Sequence, residues 1–542
     1  MKILIIIPAR GGSKGIPRKN LRSLAGKPLI YYSIKTAIAS TYSPDVYVSS
    51  EDEEIVTIAK KLGANVHRRN PQISKDSTTL DPVIYQAYCD ISESVRTKYE
   101  LIITLQATSP LLRTHTLDKA IEMIAANAGI DTVIAARDDT HLTWTKESGR
   151  YLPNYKERVN RQFLKPTFRE TGAFLISRSS VISENNRIGD NVELFLLDGG
   201  EEIDIDTFED WNLCEYFLRR KKILFVVSGY HEVGLGHVYN TLLVANDILD
   251  HQINFLVDKK SGLAKEKISL RNYDVQIQKN DELLEDVLDI NPDIVINDIL
   301  DTTPEYIRGL KNAGIRVVNF EDLGEGAKYA DLVINAIYPE DVALPNHYFG
   351  ADYFVLRDEF VLTPQKYVQP LVKDVLLTFG GVDPNNFTEK VLKSLHSYCL
   401  KNNIRINIIT GFGYTQYQSL APFETVTIYK DTSRISDLMS AADLIFTSAG
   451  RTVYEVAALG VPAIVLAQNE REMTHFFASE QNGFVHLGLG TNLSGDSILE
   501  AFRSLAESFC RREQMVAAMR KIGLRSGRQR VQRLIKKELE EI

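Results

Sequence analysis

What most limits the fold of this chain is a repeated alternation. Short β-branched runs at Ile3–Ile7, Val46–Ser49, Leu101–Leu105 and Thr132–Ala135 read as buried strands. Between them, Ile30–Ala39 and Leu117–Ala126 place apolar residues at helical spacing. Strand–helix–strand order of this kind builds βαβ units around a mostly parallel sheet, so the class is α/β. The pattern runs to about Leu218 and meets Arg219-Arg220-Lys221-Lys222, a charge run suited to a solvated linker. It then restarts with a strand at Ile223–Ser228, a loop at Gly229–Gly236 and a helix at Val238–Leu249. Further strands are expected at Ile253–Val257, Ile294–Asn297, Arg316–Phe320 and Leu332–Asn335. Beyond Pro364 and Pro370 a third set begins, with strands at Val375–Phe379, Ile406–Ile409, Leu444–Thr447 and Ala463–Leu466. The spacing predicts three units: residues 1–220, then two lobes at 222–365 and 366–542.

Composition narrows the function. Lys plus Arg number 63 and Asp plus Glu 71, a net charge of −8, which disfavours a general nucleic-acid binder. Yet residues 1–44 hold eight basic side chains and no acid. The four cysteines are far apart and form no CxxC pair, which fits a reducing compartment and argues against a disulfide scaffold or a zinc knuckle. No apolar run approaches the ~18 residues of a membrane helix, and the apolar start lacks a cleavage site. The chain therefore reads as soluble and cytoplasmic, with no integral membrane segment.

The early basic charges gather in one loop, Pro8-Ala9-Arg10-Gly11-Gly12-Ser13-Lys14-Gly15-Ile16-Pro17-Arg18-Lys19-Asn20, directly after the first strand. Glycines let several backbone N–H groups approach one anion, and basic side chains add charge for phosphate oxygens. The loop suits a polyphosphate cradle, although it is not a P-loop. The same residues also suit an ordinary glycine-rich turn with solvated lysines. Far downstream, Asp204 and Asp206 are separated by one residue, so on a strand both carboxylates share a face. Two carboxylates with substrate phosphates can hold magnesium; a strand end with two solvated acids is the alternative.

The string PARGGSKGIPRKN, with LQATSPLLR at 105–113 and DIDT at 204–207, closely resembles the acylneuraminate (CMP-sialic acid) cytidylyltransferase family. The resemblance implies a Rossmann-like nucleotidyltransferase domain. It would move CMP from CTP to the anomeric hydroxyl of a nonulosonic acid, a nine-carbon 2-keto acid sugar, and release pyrophosphate. By that resemblance Arg10, Lys14 and Lys19 hold the triphosphate, with Gly11, Gly12 and Ser13 in the cradle and Asn20 on the nucleotide. Arg69 and the 76–79 stretch, Thr79 included, read cytosine and ribose. Gln106 contacts the sugar, and Arg161 with Gln162 meets its carboxylate. Asp204 and Asp206 bind Mg²⁺ (or Mn²⁺), and Arg10, Lys19 and Asp206 carry the chemistry. A homo-oligomer built through this domain is implied as well. Thr171 and Leu175 depart from the family's usual Asn and Tyr at the sugar pocket, which puts the identity of the sugar in doubt.

In the second half, Gly234-Leu235-Gly236-His237 joins strand to helix. A histidine there suits a general base near neutral pH or the cap of a tight turn. Gly380-Gly381-Val382-Asp383-Pro384, Ser448-Ala449-Gly450-Arg451-Thr452-Val453-Tyr454-Glu455 and Asn469 follow later strands. Together these resemble the nucleotide-sugar hydrolase family of pseudaminic acid synthesis, related to two-lobed GT-B type glycosyltransferases that use UDP-sugars. The resemblance implies that His237 activates water against a UDP-linked diacetamido sugar. Gly236, Gly381, Ser448, Gly450, Glu455 and Asn469 would hold that UDP-sugar, and Asp322 resembles a second acidic motif. Asn240 stands in place of the family's Arg, Glu470 in place of Gln, and Arg451 breaks a glycine pair. An active hydrolase, a non-catalytic binding or assembly module and a glycosyltransferase all fit these residues. The stretch from Arg511 to Lys537 carries ten basic residues and one acid. It reads as an amphipathic helix packed across the lobes, with an anionic surface contact as the alternative. The whole reads as a bifunctional sugar-nucleotide enzyme of surface polysaccharide biosynthesis, with pseudaminic acid or a near relative favoured.

Overall fold

The computed structural model describes residues 1–12, 15–73, 78–230, 234–248, 250–339 and 344–542. It divides into two compact units, Met1–Arg220 and Lys221–Ile542.

The first unit is built on a seven-stranded sheet. Edge to edge its strands are Val192–Leu196, Thr132–Asp138, Phe168–Arg178, Leu101–Leu105, Ile3–Pro8, Asp45–Ser50 and Asn65–Arg68. All pairs are parallel except those made by Phe168–Arg178, which runs against both neighbours. The first strand shows why the isoleucine run is unbroken. Ile3, Ile5 and Ile7 pack with Ile30 and Ile34 of helix Leu29–Ile38. Leu4 and Ile6 pack on the other face with Ile84, Ala87 and Ile91 of helix Leu80–Val95. A strand covered on both faces has no polar face to alternate, and each such side chain contributes about 1.5–3 kcal/mol of burial. After the second strand, Asp52 caps helix Glu53–Leu62 by accepting from the N–H groups of Glu54 and Ile55.

Two expectations change here, and one element is new. Asp204 and Asp206 do not lie on a strand; they sit in an extended segment before helix Phe208–Arg219. The two-residue alternation survives, because Ile203 and Ile205 are buried in alternation with the carboxylates. The basic linker is also shorter than the charge run, since Arg219 ends a helix and Lys222 opens a strand. Finally, a hairpin of Trp144–Glu147 with Arg150–Pro153 stands exposed along its whole length, and its sequence gave no strand signal because neither face is buried.

The second unit holds two sheets whose strand pairs are all parallel. The first runs Val275–Ile277, Gln252–Val257, Lys222–Val227, Ile294–Asp298, Arg316–Phe320, Leu332–Asn335, His347–Phe349. The second runs Val426–Lys430, Arg405–Thr410, Asp374–Thr378, Leu444–Ser448, Ala463–Ala467, Phe484–Leu489. Two parallel sheets, one per lobe, make the GT-B type architecture. The expected extent of the second lobe, 366–542, needs correction. Helix Gly527–Glu540 returns to the first lobe, where Val531, Ile535 and Leu539 join the core around Ile223, Phe225 and Phe255. Arg316 of the first lobe pairs with Glu538 at 2.7 Å, and Arg528 pairs with Asp247 at 2.5 Å. Apolar residues four apart supply the packing face and acids such as Glu538 the polar edge. Among the described residues no helix is long and apolar enough to cross a membrane.

Candidate functional site

In the first unit the candidate residues collect where the parallel strands end, the usual place for ligands in α/β sheets. Lys19 reaches across from the basic loop: its ammonium donates to the Ile205 carbonyl and lies 3.3 Å from Asp206 Oδ1. Gly15 allows this approach, since a Cβ there would stand 2.7 Å from the Asp206 carbonyl oxygen. Gly172 does the same on the other side, where a Cβ would meet Asp204 Oδ2 at 2.9 Å and the Gln106 amide carbon at 3.1 Å. Lys19, Asp204, Asp206 and Gln106 are thus brought together. Burial raises the Asp204 carboxyl above the ordinary range, and the neighbouring Asp206 charge adds to this. Its Oδ1 is buried without a hydrogen-bond partner. An orphaned carboxylate oxygen beside a second carboxylate fits a divalent cation completed by phosphate oxygens. Among the described residues no group of three or more His, Cys, Asp or Glu could hold a metal by itself.

On the other flank, Asn20 is buried and donates to the Arg10 carbonyl at 2.9 Å, which ties the loop's two ends. The Gly11 N–H donates to Glu51 Oε1 at 2.8 Å. Arg69 is buried and donates to the Ser49 carbonyl at 2.6 Å; burial lowers its pKa, Glu51 opposes the shift, and Arg10 adds to it. Gly12 has open space around it, and Thr79 sits exposed at the start of helix Leu80–Val95. Ser13, Lys14 and Asp76 lie outside the described residues. Arg161 and Gln162 are exposed on a short 3-10 turn, with Arg161 3.6 Å from Asp138. Among the described residues, no hydrogen bond joins this pair to the Asp204 group.

In the second unit one cavity of about 290 Å³ lies between the lobes. Gly236, His237, Gly381, Ser448, Gly450, Glu455 and Asn469 all line it. His237 sits in the first turn of helix Gly236–Asn246, and its Nδ1 pairs with Asp298 Oδ1 at the end of strand Ile294–Asp298. A ring bonded through Nδ1 leaves Nε2 for a proton. Gly381 permits the lobes to close, because a Cβ there would come within 3.2 Å of Leu235. Glu455 accepts from Arg357 Nε at 2.9 Å, and Asn469 accepts from the Glu472 N–H at 2.9 Å. Asp322 is buried in a network with Thr302, Asn319 and Gly324 and does not line the cavity.

Four cavity residues or partners escaped the sequence reading. Asp298 ends a strand, as does Glu321 just beyond Arg316–Phe320, so a position at the carboxyl end of a parallel strand was the available signal. Glu321 is buried at φ 53°, the left-handed region. Burial raises its pKa to about 7 against the pull of Arg451. Glu472 accepts from the N–H groups of Ala449 and Gln468 at 3.1 and 2.8 Å, and burial raises it to about 7. His475 bonds the Ala449 carbonyl through Nδ1 at 2.8 Å; burial lowers its pKa to about 4. Asn240 and Arg451, two departures from the family pattern, touch each other: Arg451 Nη2 donates to Asn240 Oδ1 at 2.8 Å.

Residues 4–218 match the family model described as Cytidylyltransferase, and residues 375–529 the model described as Glycosyltransferase family 28 C-terminal domain. A pseudaminic acid cytidylyltransferase of Campylobacter jejuni is 34% identical over 42% of this chain and 98% of its own length. N-acylneuraminate cytidylyltransferase A of Danio rerio is 33% identical over 39% of this chain and 50% of its own. A Helicobacter pylori protein, pseudaminic acid cytidylyltransferase and UDP-2,4-diacetamido-2,4,6-trideoxy-beta-L-altropyranose hydrolase, is 23% identical over 93% of this chain and 95% of its own. The chain spans about half the length of several curated relatives that it matches.

Proposed function

We propose, since the chain belongs to the cytidylyltransferase family through its residues 4–218, that the first unit transfers CMP from CTP to a nonulosonic acid of pseudaminic, legionaminic or sialic type. The sugar's anomeric hydroxyl attacks the α-phosphorus, the bond to the β-phosphate breaks, and pyrophosphate leaves. Such transfer needs positioning and charge neutralisation more than covalent help. Arg10 and Lys19 would steady the leaving pyrophosphate, with Ser13 and Lys14 of the same loop. Asn20, Arg69 and Thr79 would hold the nucleoside. Gln106, Arg161 and Gln162 would bind the sugar. A divalent cation, Mg²⁺ or Mn²⁺, supplies charge neutralisation at the phosphates when bound, held by Asp204 and Asp206. The observation that carries this reading is the meeting of Lys19, Asp204, Asp206 and Gln106 at the strand ends.

In the second unit, His237 Nε2 would take a proton from water, which attacks a UDP-linked diacetamido sugar and releases UDP. The other cavity-lining candidates would hold the nucleotide. The long match to the Helicobacter pylori protein supports a sugar-nucleotide enzyme with both activities in one chain. The exposed apolar side chains of the hairpin, together with exposed Phe163 and Phe168, support a homo-oligomer through the first unit.

Paired variants test both halves. His237→Ala is expected to abolish UDP release while pyrophosphate release from CTP persists, and Asp206→Asn is expected to do the reverse. Failure of every nonulosonic acid to release pyrophosphate would refute the first activity. The match of residues 375–529 to a glycosyltransferase domain favours a second reading, transfer to an acceptor; UDP release that requires an added acceptor would establish it.

A further inference from the structure

Five side chains of the second unit form one polar line from lobe to lobe. His237 Nδ1 pairs with Asp298 Oδ1, and Asn240 Nδ2 donates to Asp298 Oδ2 at 2.8 Å. Arg451 Nη2 donates to Asn240 Oδ1 at 2.8 Å, and Arg451 Nη1 lies 3.4 Å from Glu321 Oε1. Arg451 alone belongs to the second lobe, in the turn between strand Leu444–Ser448 and helix Thr452–Leu459. Asn240, Asp298 and Glu321 are almost wholly buried.

We propose that Arg451 is a positioning residue: from across the cleft it fixes the tautomer of His237, and so links the filling of its own turn to the readiness of the base. This rests on the hydrolase reading of the second unit. Between Arg451 and Asp298 stands the amide of Asn240, which can turn either its oxygen or its NH₂ toward Asp298. A carboxylate only accepts and a guanidinium only donates. With Asp298 on one side and Arg451 on the other, a single orientation satisfies both. The amide then donates to Asp298 Oδ2, leaving Oδ1 to accept from the imidazole. His237 is held with its proton on Nδ1 and a bare Nε2.

Remove the guanidinium and the buried amide oxygen loses its donor. Asp298 still calls for the amide NH₂, but the amide is then held from one side only, and its grip on Asp298 Oδ2 loosens. Arg451 itself is held firmly. It lies over the Phe354 ring at 4.5 Å, and that ring stacks on Tyr454 at 4.0 Å. Gly236 leaves it room, since a Cβ there would meet Arg451 Cδ at 3.4 Å. Ser448 and Gly450 share its turn, so a nucleoside diphosphate seated on that turn bears on the same backbone.

The test is nitrogen NMR of the full chain labelled at histidine, with His237→Asn used to assign the signals. Arg451→Met is the main variant, because its side chain still covers Phe354; Arg451→Gly is read if that protein does not fold. In the parent, His237 is expected as the Nδ1–H form, with its signals moved by UDP alone. In Arg451→Met the tautomers are expected to mix and the UDP response to vanish, with partial return in Arg451→Lys. With UDP-sugar, kcat is expected to fall by about 10–100-fold, the scale for loss of a partner that orients a catalytic group, with a smaller change in KM. Unchanged His237 signals in whichever of the two variants folds would overturn the proposal. A parent protein that releases no sugar would instead refute the hydrolase reading, and the nitrogen signals would still judge the relay.

Discussion

Lys19 shows how one side chain can serve two parts of a site. Its ammonium holds the Ile205 carbonyl and stands beside Asp206, so it braces the acidic segment against the basic loop. Lys19→Ala and Asp204→Asn are each expected to lower the rate of pyrophosphate release by about 10²–10³-fold, the range for removing one group that meets developing charge. Steady-state assays at saturating CTP check this. Glu472 gives a pH signature of different origin. Its folded pKa, about 7, lies above the ordinary 4.5 because the carboxyl is buried. Between those values the unfolded chain loses a proton that the folded chain keeps, so this group erodes stability as pH rises from about 4.5 to 7. Glu472→Gln keeps an acceptor for the two N–H groups. It is expected to flatten that slope by up to ~1.4 kcal/mol per pH unit, measured by denaturant unfolding at several pH values. The glycines and His237 were legible because they cluster in loops that directly follow strand patterns. Asp298 and Glu321 were not, because a carboxylate at a strand end looks like any solvated acid until its burial is seen.

At the scale of elements, unbroken apolar runs such as Ile3–Ile7 announced strands because both faces are covered. The Asp204 segment kept a strand's alternation without strand pairing, since buried Ile203 and Ile205 alone demand it. Helix Gly527–Glu540 was legible as an amphipathic element packed across the lobes, but the strands it packs on were not. What it covers is a sheet begun at Lys222, a pairing no local pattern can report. Ile535 is buried there. Ile535→Ala is expected to cost about 2–5 kcal/mol, seen as a lower melting temperature for the second unit.

At the scale of the molecule, the first unit leaves Trp144, Tyr151 and Leu152 exposed on the hairpin, and Phe163 and Phe168 exposed later in the chain. Tyr151→Ser with Phe163→Ser is expected to convert an oligomer to monomer by light scattering; a monomeric parent would refute that proposal. The returning helix carries a further consequence, one of timing. The first lobe's core needs Ile223 and Phe225, made early, and Val531 and Ile535, made about 300 residues later. Closing so long a loop is entropically slow to reward. During synthesis the first lobe therefore waits, its apolar face uncovered, while the second lobe is translated between its halves. A ribosome that stalls anywhere before residue 531 leaves that face open, a natural handle for chaperones and proteases that would clear the unfinished chain.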